Sequence, residues 1–523
     1  TDLKGFPGFL MEAVKNAAID WTTQHKESTE ETTKIFCEAI PVNLEFAQST
    51  SSGNLLPELN TDKSMPMPGR EIKLLASSFT QWILNYQIEP KEGETLTIGE
   101  LARDPQIKIF LRTEELVRTH FGIFGYTGAG KSNLVSTIAS KLLGGTKTGL
   151  NVVIVDLIGE YTGLLIDKLV EIPDALVICI DRETLAEPVF NAINTPSPTI
   201  TDEIAKLHVE TMVLPKTLKK ISETFIPPAK ELLQKEKIKI YDEISNIQYV
   251  DDVVNEGNPW KARRKVGKPF QDIKSIVIFV FGSYYKKNIK ITKELASGLL
   301  KGLDEKLKEN EVYRSDFIDV INILKSIIYQ EPLHCGITLQ KIIGALNDEK
   351  CSLMILMAHR PDRLRQFVYN LGMSLFENRR KTGRILPLAS FIFDEADEFI
   401  PQDPDESQLL TLEVAGTLAR RGRKFGLGLA IATQRIIYLN TSIMAQPHTY
   451  FISKLPRKSD RERLAEAFAI SDTMFEQTFK FSKGDWLLVS HDATGLESVP
   501  FPIHAENAEV RIITFFKQKG YLK

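Results

Sequence analysis

The sequence predicts an α/β fold organised on a parallel sheet, and three observations predict it. Beginning at His120, a short apolar strand (Phe121–Phe124), a glycine-rich loop and a helix through Leu143 follow one another in β-α-β order. The next runs, Val152–Leu157 and Leu176–Ile180, are continuous and rich in β-branched residues, as strands buried on both faces of a parallel sheet are. Runs of the same kind return at Leu353–Met357, Phe391–Phe393, Leu427–Ala432, Tyr450–Ile452 and Trp486–Val489, so the α/β core is split in two.

What surrounds the core reads differently. Leu10, Val14, Ala17 and Trp21 recur at helical spacing and predict an amphipathic helix at the start. Strand-like runs follow at Ile40–Phe46, Glu71–Leu75 and Gln106–Leu111, separated by Ser-, Gly- and Pro-rich segments, which predicts a small β-rich domain. The stretch from about 200 to 350 is Lys- and Glu-rich and helical in period, and it reads as a helical insertion; the apolar run Ile276–Phe281 inside it is either a strand or a buried helix segment. The expected organisation is an N-terminal helix and β-rich domain over 1–115, core over 116–199, insertion over 200–350, core again over 351–495, and a C-terminal extension over 496–523.

With 65 basic against 68 acidic residues the net charge is −3. A uniformly basic nucleic-acid coat is excluded, whereas a local basic channel is not, because binding depends on where charge sits. Cys37, Cys179, Cys335 and Cys351 lie far apart with no C-x-x-C pair, which reads as free thiols in a reducing compartment. No apolar run approaches the ~18 residues of a membrane span, and the N-terminus lacks the pattern of an export signal. A cytoplasmic protein is expected.

Three motifs carry chemistry. Gly125-Tyr126-Thr127-Gly128-Ala129-Gly130-Lys131-Ser132 fits G-x-x-x-x-G-K-[ST] between a strand and a helix. Its glycines let backbone N–H groups wrap a phosphate at a helix N-terminus, Lys131 bridges β- and γ-phosphates, and the Ser132 hydroxyl ligates Mg²⁺. Asn133 follows as a further ATP-binding position. The strand Ser390–Phe393 ends in Asp394-Glu395-Ala396-Asp397; Asp394 suits the metal and Glu395 the attacking water, as general base. Ala419-Arg420-Arg421-Gly422-Arg423-Lys424 precedes a strand ending in Thr433-Gln434-Arg435. Gln434 suits contact with the γ-phosphate, and one arginine of the cluster suits a finger acting in cis or on a neighbouring subunit. The carboxylates of Asp156 and Glu160 suit either the metal shell or a turn with a helix cap, and Lys216–Lys220 and Lys261–Lys268 read as solvated helix faces. His120, His359 and His491 form no ligand set.

Taken together, His120–Asn133, the Gly-Glu-Tyr after Asp156, Asp394–Asp397 and Gly422–Arg435 resemble the HerA/FtsK class of hexameric DNA-translocating ATPases, the HerA branch most closely. The resemblance implies a RecA-like (ASCE) P-loop ATPase core and, with Ile98-Gly99-Glu100-Leu101 ahead of the Ile107–Leu111 strand, a small N-terminal barrel. It implies that Glu395 is the catalytic base, Gln434 the polar sensor and Arg423 the trans-acting finger, with Arg420 as the alternative. It further implies a hexameric ring around double-stranded DNA, ATP and Mg²⁺ as cofactors, and a partner such as the NurA nuclease or, in antiviral systems, a nuclease or sirtuin-type NADase. A Leu-Ile step stands before Gly159 where the family has Pro and a small residue.

Asp394–Asp397 also spells the box of two-lobed RNA helicases. Only about 90 residues follow Gln434, too few for a second lobe, so a finger must come from a neighbour. A second class of function remains open at this point: an ATP-switched hexameric scaffold that assembles and activates an effector without moving DNA.

Overall fold

In the computed structural model of the chain, residues 44–49, 56–61, 75–144, 149–243, 247, 249–260, 267–329, 333–468 and 472–522 are described. Two compact units divide it, 1–80 and 81–523. In the first, β1 (Leu44–Ser49) and β2 (Leu56–Thr61) pair antiparallel, Leu44 opposite Thr61. The expected helix from Leu10 to Trp21, residues 71–74 of a strand-like run, residues 261–266 of a basic run and Cys37 lie outside the described residues.

The second unit is organised on one thirteen-stranded sheet. In chain order its strands are β3 (Thr95–Leu101), β4 (Asp104–Arg112), β5 (Phe121–Phe124), β6 (Leu150–Asp156), β7 (Leu176–Cys179), β8 (Ile238–Tyr241), β9 (Gly336–Ile337), β10 (Ser352–Met357), β11 (Leu388–Phe393), β12 (Leu427–Thr433), β13 (Thr449–Ile452), β14 (Asp485–Ser490) and β15 (Phe501–Ala505). Across the sheet they run β4-β3-β15-β14-β13-β5-β12-β11-β6-β10-β7-β8-β9. From β13 to β9 neighbours are parallel, and from β13 outward to β4 they are antiparallel. Every residue of β5, β6, β11 and β12 is buried, which is why these strands read as unbroken apolar runs.

β12 lies between β5, which feeds the glycine-rich loop, and β11, which ends before Asp394. That interposed strand gives the RecA-like arrangement, and the expected α/β core holds. Parallel strands end on the same edge, so the tips of β5, β6, β11 and β12 share one rim, where open α/β sheets bind ligands.

Helix α1 (Lys131–Gly144) follows the glycine-rich loop. Within the insertion, α2 (Val250–Gly257), α3 (Lys268–Phe281), α4 (Lys293–Glu309) and α5 (Ile318–Tyr329) enclose a separate apolar cluster that includes Val253, Ile276, Phe281, Leu303 and Val320. The ambiguous run Ile276–Phe281 is helical: Ile273, Ile276, Val277 and Phe281 are the buried positions of α3, a helical rather than an alternating spacing. The insertion also contributes sheet. β8 and β9 extend the parallel core beyond β7, and their length of four and two residues gave no usable strand signal.

Two more segments join the sheet where separate pieces were expected. β3 and β4 extend it through β15, with Ile503 opposite Leu101. At Gly99 a Cβ would stand 2.0 Å from the His504 carbonyl oxygen, so glycine is what permits this strand approach. The last 28 residues, read as an extension, supply β15 and the helix Ala508–Gln518.

Helices α6 (Pro361–Thr382) and α7 (Glu406–Arg421) pack against each other, Gly372 meeting Val414 where a Cβ would stand 2.4 Å from Cγ2. A reciprocal capping box between Asp405 and Gln408 starts α7. Helix α8 (Ala508–Gln518) lies on α1: Arg511 donates to Asp167 Oδ2 at 2.9 Å and to the Ser136 carbonyl at 3.2 Å.

Candidate active site

The loop leaving β5 is built for anion binding. Gly128 and Gly130 have φ of +89° and +102°, which L side chains resist, and α1 begins directly afterwards at Lys131. The first N–H groups of a helix have no intrahelical acceptor, so they point at whatever occupies the loop. Lys131 is buried. Its charge opposes the upward pKa shifts of both Asp394 and Glu395.

Asp394 and Glu395 follow β11 on the same rim. Asp394 is buried, and burial pushes its carboxyl above the usual carboxylate range. Tyr161, fully buried, donates its hydroxyl to Asp394 Oδ2 at 2.8 Å, and the adjoining Glu395 N–H also favours the charged form. Glu395 is half-buried in a left-handed conformation, φ +46°. Burial raises its pKa, the Asp394 carboxylate raises it further, and Lys131 and Arg435 oppose the rise.

From the tip of β12, the Gln434 amide nitrogen donates toward Glu395 at 3.4 and 3.5 Å, while its amide oxygen accepts from the Thr127 hydroxyl. One side chain therefore links the phosphate loop to the acidic pair. Thr433 donates to Asp397 Oδ1 at 2.6 Å, and Arg435 stands 3.9 Å from Asp397 and 3.8 Å from Glu398.

The structure thus gathers Gly125, Thr127, Gly128, Ala129, Gly130, Lys131, Ser132, Asp394, Glu395 and Gln434 at one rim. It does not bring Arg420 or Arg423 there. Both precede β12, whereas Gln434 follows it, and seven strand residues span about 23 Å at the usual rise. Arg423 is exposed, and Arg420 donates to Ser442 Oγ at 2.8 Å. At this distance neither Arg420 nor Arg423 reaches the rim of its own chain.

Asn133 is in the loop helix but its side chain is engaged elsewhere. Its Nδ2 donates to the Glu506 carbonyl at 3.0 Å and its Oδ1 accepts from the Ala508 N–H at 2.7 Å. Asp156 belongs to a turn rather than to a metal shell. Its carboxylate accepts from the N–H groups of Ile158, Gly159, Glu160 and Tyr161 at 3.2, 2.7, 3.4 and 2.9 Å. Burial nonetheless pushes its pKa up to about 7. His120 serves the scaffold: Nδ1 accepts from the Leu429 N–H at 2.9 Å and Nε2 lies 3.0 Å from the Ala419 carbonyl, so the ring is neutral, with burial lowering its pKa to about 4.

Sequence reasoning assigned no role to Tyr161 or Arg435. The first was visible only as the end of Gly-Glu-Tyr, and nothing in sequence separation of 233 residues signals its bond to Asp394.

For Mg²⁺ the donor set fits. Asp394 Oδ1 is buried with no hydrogen-bond partner, and Ser132 is the second residue of α1, directly after Lys131. Among the described residues no three His, Cys, Asp or Glu side chains converge. Mg²⁺ commonly takes one or two carboxylates plus phosphates and water instead of such a cage.

A family model described as "Helicase HerA, central domain" matches residues 96–340, from β3 to just past β9. The chain is 27% identical over 422 residues to a probable DNA double-strand break repair helicase HerA of Methanocaldococcus jannaschii, covering 77% of this chain and 73% of that protein. It is 23% identical to the DNA double-strand break repair helicase HerA of Pyrococcus furiosus, covering 82% and 71%. The corresponding helicase of Sulfurisphaera tokodaii is 25% identical, covering 82% and 71%. Among solved structures, VirB4 of Thermoanaerobacter pseudethanolicus superposes with a TM-score of 0.42 at 14% identity, over 81% of this chain and 99% of that one. The strand order, the loop after β5 and the acidic pair after β11 on the same rim make the chain a P-loop ATPase, and over about three quarters of its length it is similar to helicases of the HerA branch.

Proposed function

We propose that the chain is an ATP-driven double-stranded DNA translocase or helicase of HerA type, working in the cytoplasm as a hexameric ring with a partner effector. The partner on this reading is a nuclease or a sirtuin-type NADase, in DNA end processing or antiviral defence. The observation that carries the ring is the separation of Arg423 and Arg420 from the rim where Lys131, Glu395 and Gln434 meet. Phosphoryl transfer gains from a guanidinium against developing charge, and this chain's own arginines before β12 cannot reach its own site.

On this reading the loop Gly125–Gly130 and Lys131 hold the β- and γ-phosphates, with Thr127 at the γ-phosphate end beside Gln434. Ser132 and Asp394 hold Mg²⁺, which when bound neutralises charge on the phosphate oxygens. Glu395 accepts the proton of the attacking water, and its raised pKa favours that role because a base works best near ambient pH. Gln434 orients Glu395 and responds to the γ-phosphate through Thr127. Arg423 of the next subunit, or Arg420, stabilises the transition state.

The test is ATP hydrolysis by the purified chain with and without linear double-stranded DNA, beside Glu395→Gln and Arg423→Ala. Stimulation by DNA, loss in both variants, and disproportionate poisoning when either is mixed with wild type support the interlocked motor. Slow hydrolysis indifferent to DNA that rises only with a co-purifying partner replaces it with the ATP-switched scaffold.

A further inference from the structure

Asp394 and Asp156 close adjacent parallel strands, since β11 pairs with β6 and Phe393 stands opposite Val155. Two carboxylates at neighbouring strand tips would compete for one cation, yet the structure distinguishes them completely. Asp156 spends both oxygens on four backbone N–H groups, a turn that Gly159 permits with φ of +88°. That turn delivers Tyr161 as the first residue of the short helix Tyr161–Leu164. Its ring is fully buried and its hydroxyl returns to Asp394 Oδ2 at 2.8 Å. Asp394 Oδ1 is buried and has no donor in hydrogen-bonding geometry. A buried acceptor left unmade costs about 1–3 kcal/mol, so this oxygen is kept unpaired for a ligand outside the chain.

We propose that Tyr161 is a positioning residue for the metal site: by engaging Oδ2 it fixes the Asp394 carboxylate with Oδ1 free to ligate the nucleotide-bound divalent cation. The inference rests on the ATPase reading of the site. Asp156 acts one step further back, because its Oδ2 holds the Tyr161 N–H at 2.9 Å and so sets where the phenol starts. Partners of a ligating carboxylate orient it and tune affinity, and their loss typically lowers metal affinity roughly 10- to 100-fold.

The experiment uses the full chain and Mn²⁺ as a paramagnetic probe, titrated in the presence of a non-hydrolysable ATP analogue and read by electron spin resonance. Tyr161→Phe keeps the ring and removes only the hydroxyl. The expected result is a Mn²⁺ dissociation constant raised roughly tenfold or more, with analogue affinity in EDTA unchanged. Asp394→Asn and the double variant complete a cycle: if Tyr161 acts through Asp394, adding Tyr161→Phe to Asp394→Asn weakens Mn²⁺ binding no further. Unchanged Mn²⁺ affinity in Tyr161→Phe overturns the proposal. So does additive loss in the double variant, or equal loss of analogue binding in EDTA, because both indicate general damage to the loop. Failure of the wild type to bind the analogue at all would instead refute the nucleotide site itself.

Discussion

Gln434 holds Glu395 from the tip of the neighbouring core strand, its amide nitrogen 3.4 Å from Oε1, and the same amide accepts from Thr127 of the phosphate loop. A group that enters the loop and engages Thr127 therefore changes what Gln434 can do for Glu395. Gln434→Ala removes that link without touching Lys131 or the loop glycines. The expected outcome is a fall in kcat of roughly a hundredfold, the scale of a mispositioned general base, with fluorescent-nucleotide affinity little changed. Gln434→Glu places a second carboxylate against Glu395 and is expected to fall further. A proportional loss of nucleotide affinity in Gln434→Ala would show that the residue holds ATP rather than the base.

Asn133 separates two readings of one position. Its side chain joins α1 to the segment entering α8 through two hydrogen bonds, so any contact with ATP comes from its backbone. Asn133→Ala is expected to lose about 1 kcal/mol of stability, the net scale of a hydrogen bond whose partners water can reach, while ATP affinity stays near wild type. Denaturant unfolding and nucleotide titration of the same preparation check both halves. An unchanged melt with weakened ATP binding would return the side chain to the nucleotide.

The parts of this fold that were legible in the sequence are those with local causes. The loop glycines, Lys131 and the run into Asp394 carry their meaning within eight residues, and the buried parallel strands carry theirs as unbroken apolarity. What escaped were relations set by strand order. Tyr161 reaches Asp394 only because β6 lies beside β11. β3 and β15 meet because Gly99 admits a carbonyl, an event invisible when their residues are some four hundred positions apart. The arginines before β12 looked like site residues because the motif is contiguous, yet a strand's length separates them from Gln434.

Two buried histidines make acid stability a test of packing. His208 is buried with neither ring nitrogen hydrogen-bonded, and burial lowers its pKa to about 4; His120 shows the same shift. The unfolded chain takes up protons near the ordinary value of 6.5 while the folded chain refuses them until about 4, so stability falls as pH drops through that window. Each histidine contributes a loss of about 2 kcal/mol between pH 7 and pH 5. His208→Leu removes one titrating group and no hydrogen bond. Its melting temperature is expected to gain on wild type more at pH 5 than at pH 7. A constant difference across that range would show that His208 titrates in the folded chain as it does in the unfolded one.

Arg379 ties the turn carrying Arg423 to the core. It is fully buried, and burial lowers its pKa to about 10, leaving it charged at neutral pH. Its guanidinium donates to Asn347 Oδ1 at 3.1 Å and to the carbonyls of Leu346, Phe425, Ile385 and Gly426 at 3.0, 3.0, 3.3 and 3.4 Å. No carboxylate takes part in these bonds, so the charge serves to gather carbonyls from three segments, one of them the turn Gly422–Phe425. Arg379→Met fills the volume but leaves those carbonyls unmet, at a cost of about 3 kcal/mol or more. If Arg423 acts on a neighbour's nucleotide, a loosened turn lowers kcat at least tenfold while nucleotide affinity, set at the other end of β12, is kept. Arg379→Lys, with three donors on a point charge instead of a planar fork, is expected to recover only part of both losses. Turnover per folded molecule equal to wild type in Arg379→Met, despite a lower melt, would detach this turn from catalysis and leave Arg379 with a stabilising role alone.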